Sequence, residues 1–200
     1  MDALEAIRTC RAMRHLRPDP VPEEMLRQVL EAATCAPSPG NSQGWDFVVV
    51  RDPERRGRLA VLLREGVQPL LPPVPPVGEG DPSRRRMLAS AHHLLDHLEG
   101  VPVWVLVCGR PVYPAGKPSP DWIGSAVYPA AQNLLLAARA LGLGATFTTY
   151  HMPREVEVRA LLHIPEDARI AVTIPLGWPD RPFGPLRRRP LSDVVHWEGW

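Results

Sequence analysis

Four short β-branched segments, each separated from the next by a helical pattern, predict one domain of α/β or α+β class. Two further observations support this. A hydrophobic content of 44% with 22% charged residues is that of a soluble globular chain, and 200 residues can bury a real core. No apolar run reaches the roughly 18–20 residues that a membrane helix needs. With helices between the strands, tight hairpins are not expected.

In chain order, Asp2–Cys10 predicts a short helix with Leu4 and Ile7 on one face. RPDPVPEEM is extended, and Pro22 suits the first turn of the next helix. There Glu23 and Glu24 complement the helix dipole, and Leu26, Val29, Leu30 and Ala33 recur at helical spacing to about Cys35. APSPGNSQG breaks that helix, and WDFVVVR predicts a buried strand. Asp52-Pro53 starts a helix through about Leu63. Asp81 or Ser83 caps another, carrying Met87, Leu88, Ala91, Leu94, Leu95 and Leu98. Pro102–Cys108 is the second strand. Asp121–Leu141 is the longest helix, apolar on much of its circumference and so destined for burial or a subunit interface, with Pro129 expected to bend it. Gly144–Tyr150, Pro153–Leu162 and Ile170–Gly177 predict a strand, a helix and a last strand.

The 25 prolines are concentrated. Proline-dense chain cannot join helices or sheet interiors, so 64–82 and 110–120 are expected loops or a lid, and 178–200 an extended arm punctuated by Pro179, Pro182, Pro185 and Pro190.

A formal net charge of +1 offers no broad electrostatic footprint for nucleic acid or a membrane surface, which leaves small molecules and protein partners. The first ten residues hold two acids and no continuous apolar core, unlike a secretory signal. Cys10, Cys35 and Cys108 are too few for a disulfide framework, which points to a reducing cytoplasm. Cys35 and Cys108 adjoin apolar elements, where a small buried side chain is expected.

No dinucleotide fingerprint, phosphate-binding loop or nucleophile elbow occurs, so the chemistry of an enzyme of this sequence would come from a bound cofactor. His92, His93 and His97 lie on a predicted helix, but without a general-base glutamate they are not read as metal ligands. Arg8, Arg11, Arg14 and Arg17 at one end of the chain and Arg187, Arg188 and Arg189 at the other suit phosphate, which the guanidinium fork binds through two hydrogen bonds. Arg84, Arg85 and Arg86 are read as solvated surface charge. In APSPGNSQGWDF a turn rich in backbone donors precedes a buried strand, and the amides of Asn41 and Gln43 suit the edge of a flat heterocycle.

Three blocks carry a resemblance that spans nearly the whole chain: RTCRAMRHLRPDPVPEEMLRQVLEAATCAPSPGNSQGWDFVVV, AAQNLLLAARALGLGATFTT, and IAVTIPLGWPD followed by RRRPLSDVV. In their order and spacing the sequence resembles the nitroreductase family of FMN enzymes. That resemblance implies an α+β fold, a three-layer α/β/α sandwich with a central mixed sheet, built as an intertwined homodimer with FMN at the interface. It implies that Arg11 and Arg14 hold FMN, with Arg188, two residues before a proline, and its neighbour Arg187. Pro37, Ser38 and Pro39, followed by Asn41 and Gln43, would line the flavin from the other subunit. The backbone of Thr148, Thr149 and Tyr150 would approach its N5 edge. NADH or NADPH would deliver hydride and a small conjugated acceptor, nitroaromatic or quinone-like, would collect it.

Two departures stand out. The family often has Arg-Arg-Ser where this chain has Cys10-Arg11-Ala12, which removes an arginine and a hydroxyl from a phosphate site. Its usual Gln-Pro-Trp is Gln43-Gly44-Trp45 here, a change expected to loosen the start of the strand. The departures motivate an alternative, a non-catalytic flavin-sequestering protein. RAMRHL also resembles the start of synthases of dimethylbenzimidazole, the lower ligand of cobalamin, although the aspartate usual near Ala12 is absent.

Overall fold

In the computed structural model, which describes residues 1–184 and 186–200, a five-stranded sheet lies between two helical layers. Pro185, one of the tail prolines noted above, lies outside the described residues. The helices are α1 (Ala3–Thr9), α2 (Glu23–Thr34), α3 (Pro53–Val67), α4 (Pro82–Asp96), α5 (Ile123–Ala140) and α6 (Glu155–Leu162). The strands are β1 (Leu16–Arg17), β2 (Trp45–Val50), β3 (Val103–Gly109), β4 (Gly144–Ala145) and β5 (Arg169–Pro179). The sheet runs β1-β5-β3-β2, with β4 also paired to β5. Among the described residues no helix is long and apolar enough to cross a membrane.

Strict alternation along β3 builds the sandwich. Val103, Val105 and Val107 face one core with α2 and α5, where Leu26, Val29, Val127 and Leu134 are buried. Trp104, Leu106 and Cys108 face the other, under Leu59 and Leu63 of α3, Leu94 of α4 and Val158 of α6. All seven β3 residues are buried, as a central strand covered on both faces requires.

The mixed sheet implied by the resemblance is not what one chain forms: each of its ladders is antiparallel. The reason is geometric. Val50, at the end of β2, pairs with Trp104, near the start of β3, so the α3–α4 excursion leaves and returns at the same end of the sheet. Gly109 at the end of β3 likewise pairs with Arg169 at the start of β5.

Several boundaries differ from expectation. Helix α3 continues to Val67, so the first proline loop begins after it. Asp81 caps α4, its carboxylate accepting from the backbone N–H groups of Ser83 and Arg84. The strand expected over Gly144–Tyr150 is only Gly144–Ala145 plus a single bridge from Thr148 to Thr173. Cys35 is exposed at the end of α2, not buried, whereas Cys108 is enclosed in the core and burial pushes its thiol up to about 12. Gly44 does not loosen the start of β2. It is buried, its carbonyl accepts the Arg110 N–H at 2.9 Å, and an added Cβ would meet Val112 at 2.6 Å.

Candidate functional site

The segment from Cys10 to His15 is hung on the sheet edge. Its Met13 N–H donates to the Ala145 carbonyl at 3.0 Å, and the Met13 side chain packs so closely on Gly144 that a Cβ there would lie 2.5 Å from it. Met13 and His15 are buried, while Ala12, which precedes them, is exposed and Arg14, between them, is partly so.

Three adjoining clefts open there and share Arg11 and Ala12. The first, about 820 Å³, is largely apolar, with Ile7, Leu135, Ala145 and Phe147 beside Gln132 and Thr146. The second, about 530 Å³, brings Arg11 and Arg14 together with Arg187 and Arg188, and adds Ser83, Arg86 and Ser90 from α4. The third, about 450 Å³, lies between Arg85, Arg181, His15 and His93. No aspartate or glutamate lines any of the three.

The charge is not closed off by ion pairs, although Asp81 at the start of α4 lies within electrostatic reach of Arg86 and Arg187. Among the described residues, none of Arg11, Arg14, Arg86, Arg187 and Arg188 takes part in a salt bridge. Burial holds the Arg14 guanidinium below its ordinary pKa, with Arg11 acting in the same direction and Tyr150 against it. Its Nε is buried without a hydrogen-bond partner, as is Thr146 Oγ1 in the apolar cleft. Trp104 Nε1 in the core is also without a partner, so what sets Arg14 and Thr146 apart is that their orphaned atoms belong to residues lining a cleft, where a ligand or water can reach them.

The segment after β4 is pinned next to this site, but Thr148, Thr149 and Tyr150 line none of the three clefts, and only Tyr150 acts on them, through Arg14. Thr148 exchanges backbone hydrogen bonds with Thr173 at 3.1 and 2.9 Å, and its hydroxyl donates to the Thr173 carbonyl at 2.5 Å. His151, 1% exposed, donates from Nε2 to the Ile170 carbonyl at 3.0 Å. Its Nδ1 is therefore the acceptor of the Thr173 hydroxyl proton at 2.8 Å. Thr149 is exposed, and Tyr150 is half-buried with a phenol pushed up by burial and pulled back by Arg14.

The loop Pro37, Ser38, Pro39, Asn41 and Gln43 lies elsewhere. It precedes β2 at one edge of the sheet, and Arg11 and Arg14 precede β1 at the other. Three strand spacings, about 14 Å, separate those edges. None of the five loop residues lines a cleft at Arg11. The loop is built all the same: Ser38 Oγ accepts the Gln43 N–H at 3.0 Å, and Gly40, Asn41 and Gln43 have φ of 58°, 51° and 49°. Asn41 and Gln43 are exposed.

Arg85 and Arg86, read as surface charge, also line these clefts, Arg86 exposed and Arg85 partly buried. The signal was present in the spacing of Ser83, Arg86 and Ser90, which places them on one helical face. The histidines do not converge through nitrogen atoms. His15, His93 and His97 stack face to face, with centroids 3.7 and 4.2 Å apart.

A family model described as the nitroreductase family matches residues 7–178. The chain is 34% identical over 211 residues to the NADH dehydrogenase of Thermus thermophilus, covering 98% of this chain and 96% of that protein. It is 31% identical over 198 residues to the 5,6-dimethylbenzimidazole synthase of Rhodospirillum rubrum, covering 94% and 88%. A Desulfovibrio desulfuricans nitroreductase solved in complex with FMN superposes with a TM-score of 0.72 at 26% identity, covering 100% and 98%. With residues 7–178 matched, this chain belongs to the nitroreductase family.

Proposed function

We propose that this protein is an FMN-dependent NAD(P)H oxidoreductase that reduces a small conjugated acceptor, nitroaromatic or quinone-like. The observation that carries the reading is the acid-free arginine cleft beside an apolar one. The residues present fit the cofactor. Arg11, Arg187 and Arg188, with Arg86, would hold a phosphate dianion. The first cleft suits a flat ring, with Leu135 and Phe147 for its faces and the unpartnered Thr146 hydroxyl for its polar edge. Bound there, FMN supplies reversible two-electron chemistry, with NADH or NADPH as the hydride source.

The chain's own residues orient and stabilise. Arg14, half-buried beside Tyr150 in the wall of the two basic clefts, would place a positive charge near the flavin, where low dielectric strengthens its hold on negative charge. The Thr148–Tyr150 segment follows Phe147 of the first cleft and is held by Thr173, so its backbone would be a fixed support for the ring edge. Ser83, Ser90 and Arg86 provide hydroxyls and a cation that offset the departures at Cys10 and Ala12. The Pro37–Gln43 loop completes the site from a second copy, since one chain holds the two halves at opposite sheet edges.

Titration with FMN, followed by quenching of flavin fluorescence, tests the binding. One flavin per chain is expected, weakened on the order of tenfold or more in Arg188→Ala. A protein that takes up no FMN refutes the reading. The synthase relative and the RAMRHL start favour a second reading, in which flavin is consumed. Chromatography of the flavin after turnover separates the two, since only the oxidoreductase returns it intact.

A further inference from the structure

The basic region is larger than one phosphate needs. A phosphate monoester beside Arg187 and Arg188 uses the guanidinium groups of the second cleft. Arg85 and Arg181 are not among the residues lining that cleft. They line the third one, together with His15 and His93. The two clefts are continuous, because Arg11, Arg14, Arg86 and Ser90 line both.

The third cleft has no carboxylate in its wall; Asp180 and Asp96 reach its histidines only from outside it. Neither Arg85 nor Arg181 makes a salt bridge among the described residues. The Arg85 Nε is tied to the Pro75 carbonyl at 3.0 Å, which anchors that guanidinium where the first proline loop meets α4. Asp180 acts on the imidazoles of His15 and His93, but these are held below the ordinary histidine pKa, mainly by burial. They add polar edges without adding charge. Clustered cations without an anion repel one another, so such a cluster gains most when a ligand supplies the negative charge.

We propose that the cleft between Arg85 and Arg181 is a second anion subsite, which takes a second phosphoryl group of a bound nucleotide, next to the phosphate of the flavin mononucleotide. This rests on the FMN reading of the neighbouring cleft. Two sources share that chemistry: the diphosphate of a flavin dinucleotide, and the phosphates of the nicotinamide donor, among which the 2′-phosphate distinguishes NADPH from NADH.

The test is the Arg85→Gln/Arg181→Gln double variant of the full chain, compared with the wild type in equilibrium binding. FMN, FAD and inorganic pyrophosphate are titrated against the flavin-free protein, and NADH and NADPH against the FMN-loaded one. FMN binding within about twofold of wild type shows that the variant is folded and the first cleft intact. A loss on the order of tenfold for FAD and pyrophosphate assigns the subsite to a dinucleotide flavin, and the same loss for NADPH but not NADH assigns it to the donor. Equal binding of all five ligands by both proteins overturns the subsite and leaves the FMN reading standing. Loss of FMN binding in the variant also overturns it, because the two arginines would then belong to the first cleft. A wild type that binds no FMN overturns both.

Discussion

Arg14 sits between two opposing influences: burial and Arg11 weaken its hold on the proton, and Tyr150 strengthens it. With its Nε unpartnered, a buried cation has been left for a ligand to complete. Arg14→Ala is expected to lower FMN retention by about tenfold or more, read as flavin content after gel filtration. Unchanged content and an unchanged rate of flavin reduction would remove Arg14 from the site. Thr173 has a purely structural task. Thr173→Val leaves the buried Nδ1 of His151 without its donor and is expected to cost about 1–3 kcal/mol in urea unfolding. At this scale the sequence was partly legible. Arg11, Arg14, Arg187 and Arg188 stand out because arginines gather near motif boundaries, and the structure places them around one cleft. Arg86 was hidden in a run of three arginines, where only the serines on its helical face marked it out. His151 gave no signal, because its two hydrogen bonds depend on a strand twenty residues away.

At the scale of elements, α5 lies against β3 at Gly109. An added Cβ would come within 2.3 Å of Ile123 and 2.7 Å of Val127, both buried. Gly109→Ala is therefore expected to destabilise by about 1–3 kcal/mol, again in urea, and a neutral result would mean that α5 is not held at this distance. Helix α4 meets β1 through the histidine stack, where burial first, then His93, Arg181 and His97, push His15 down to about 4, against a smaller upward pull from Asp180. The unfolded chain binds this proton near 6.5, so the stabilisation is complete above that pH and is lost as pH falls towards 4. Unfolding followed between about pH 7 and pH 4.5 should show that decline, and His15→Gln should flatten it. Helices α2 to α5 were legible because each buries several apolar residues at helical spacing, whereas α1 and α6 bury one residue each, Ala6 and Val158. Strand β1, two residues long, was not, since it exists only as an edge of β5; β4 was expected over Gly144–Tyr150 and is cut to Gly144–Ala145, because only those residues pair with β5 as a strand.

At the scale of the molecule, the proposed site is divided between two edges of the sheet. The loop at Asn41 and Gln43 and the cleft at Arg11 lie at opposite edges, and the large apolar side chains of Leu4, Ile7, Trp122, Tyr128 and Phe147 are exposed. The tail adds Trp197 and Trp200, 87% and 104% exposed. Surfaces of this kind mark a partner. Light scattering is expected to give twice the 22.2 kDa of the chain, and a monomer that still binds flavin tightly would contradict the shared site. The distance between the two half-sites was invisible in the sequence, because motif order says nothing of which sheet edge each motif occupies.

The most direct measurement is the anaerobic absorption spectrum of the FMN-loaded protein before and after NADH or NADPH is added. Bleaching of the visible flavin band by either nucleotide, with colour restored by a quinone, is the expected result. A band that persists with both nucleotides would contradict an oxidoreductase and leave a protein that only holds its flavin.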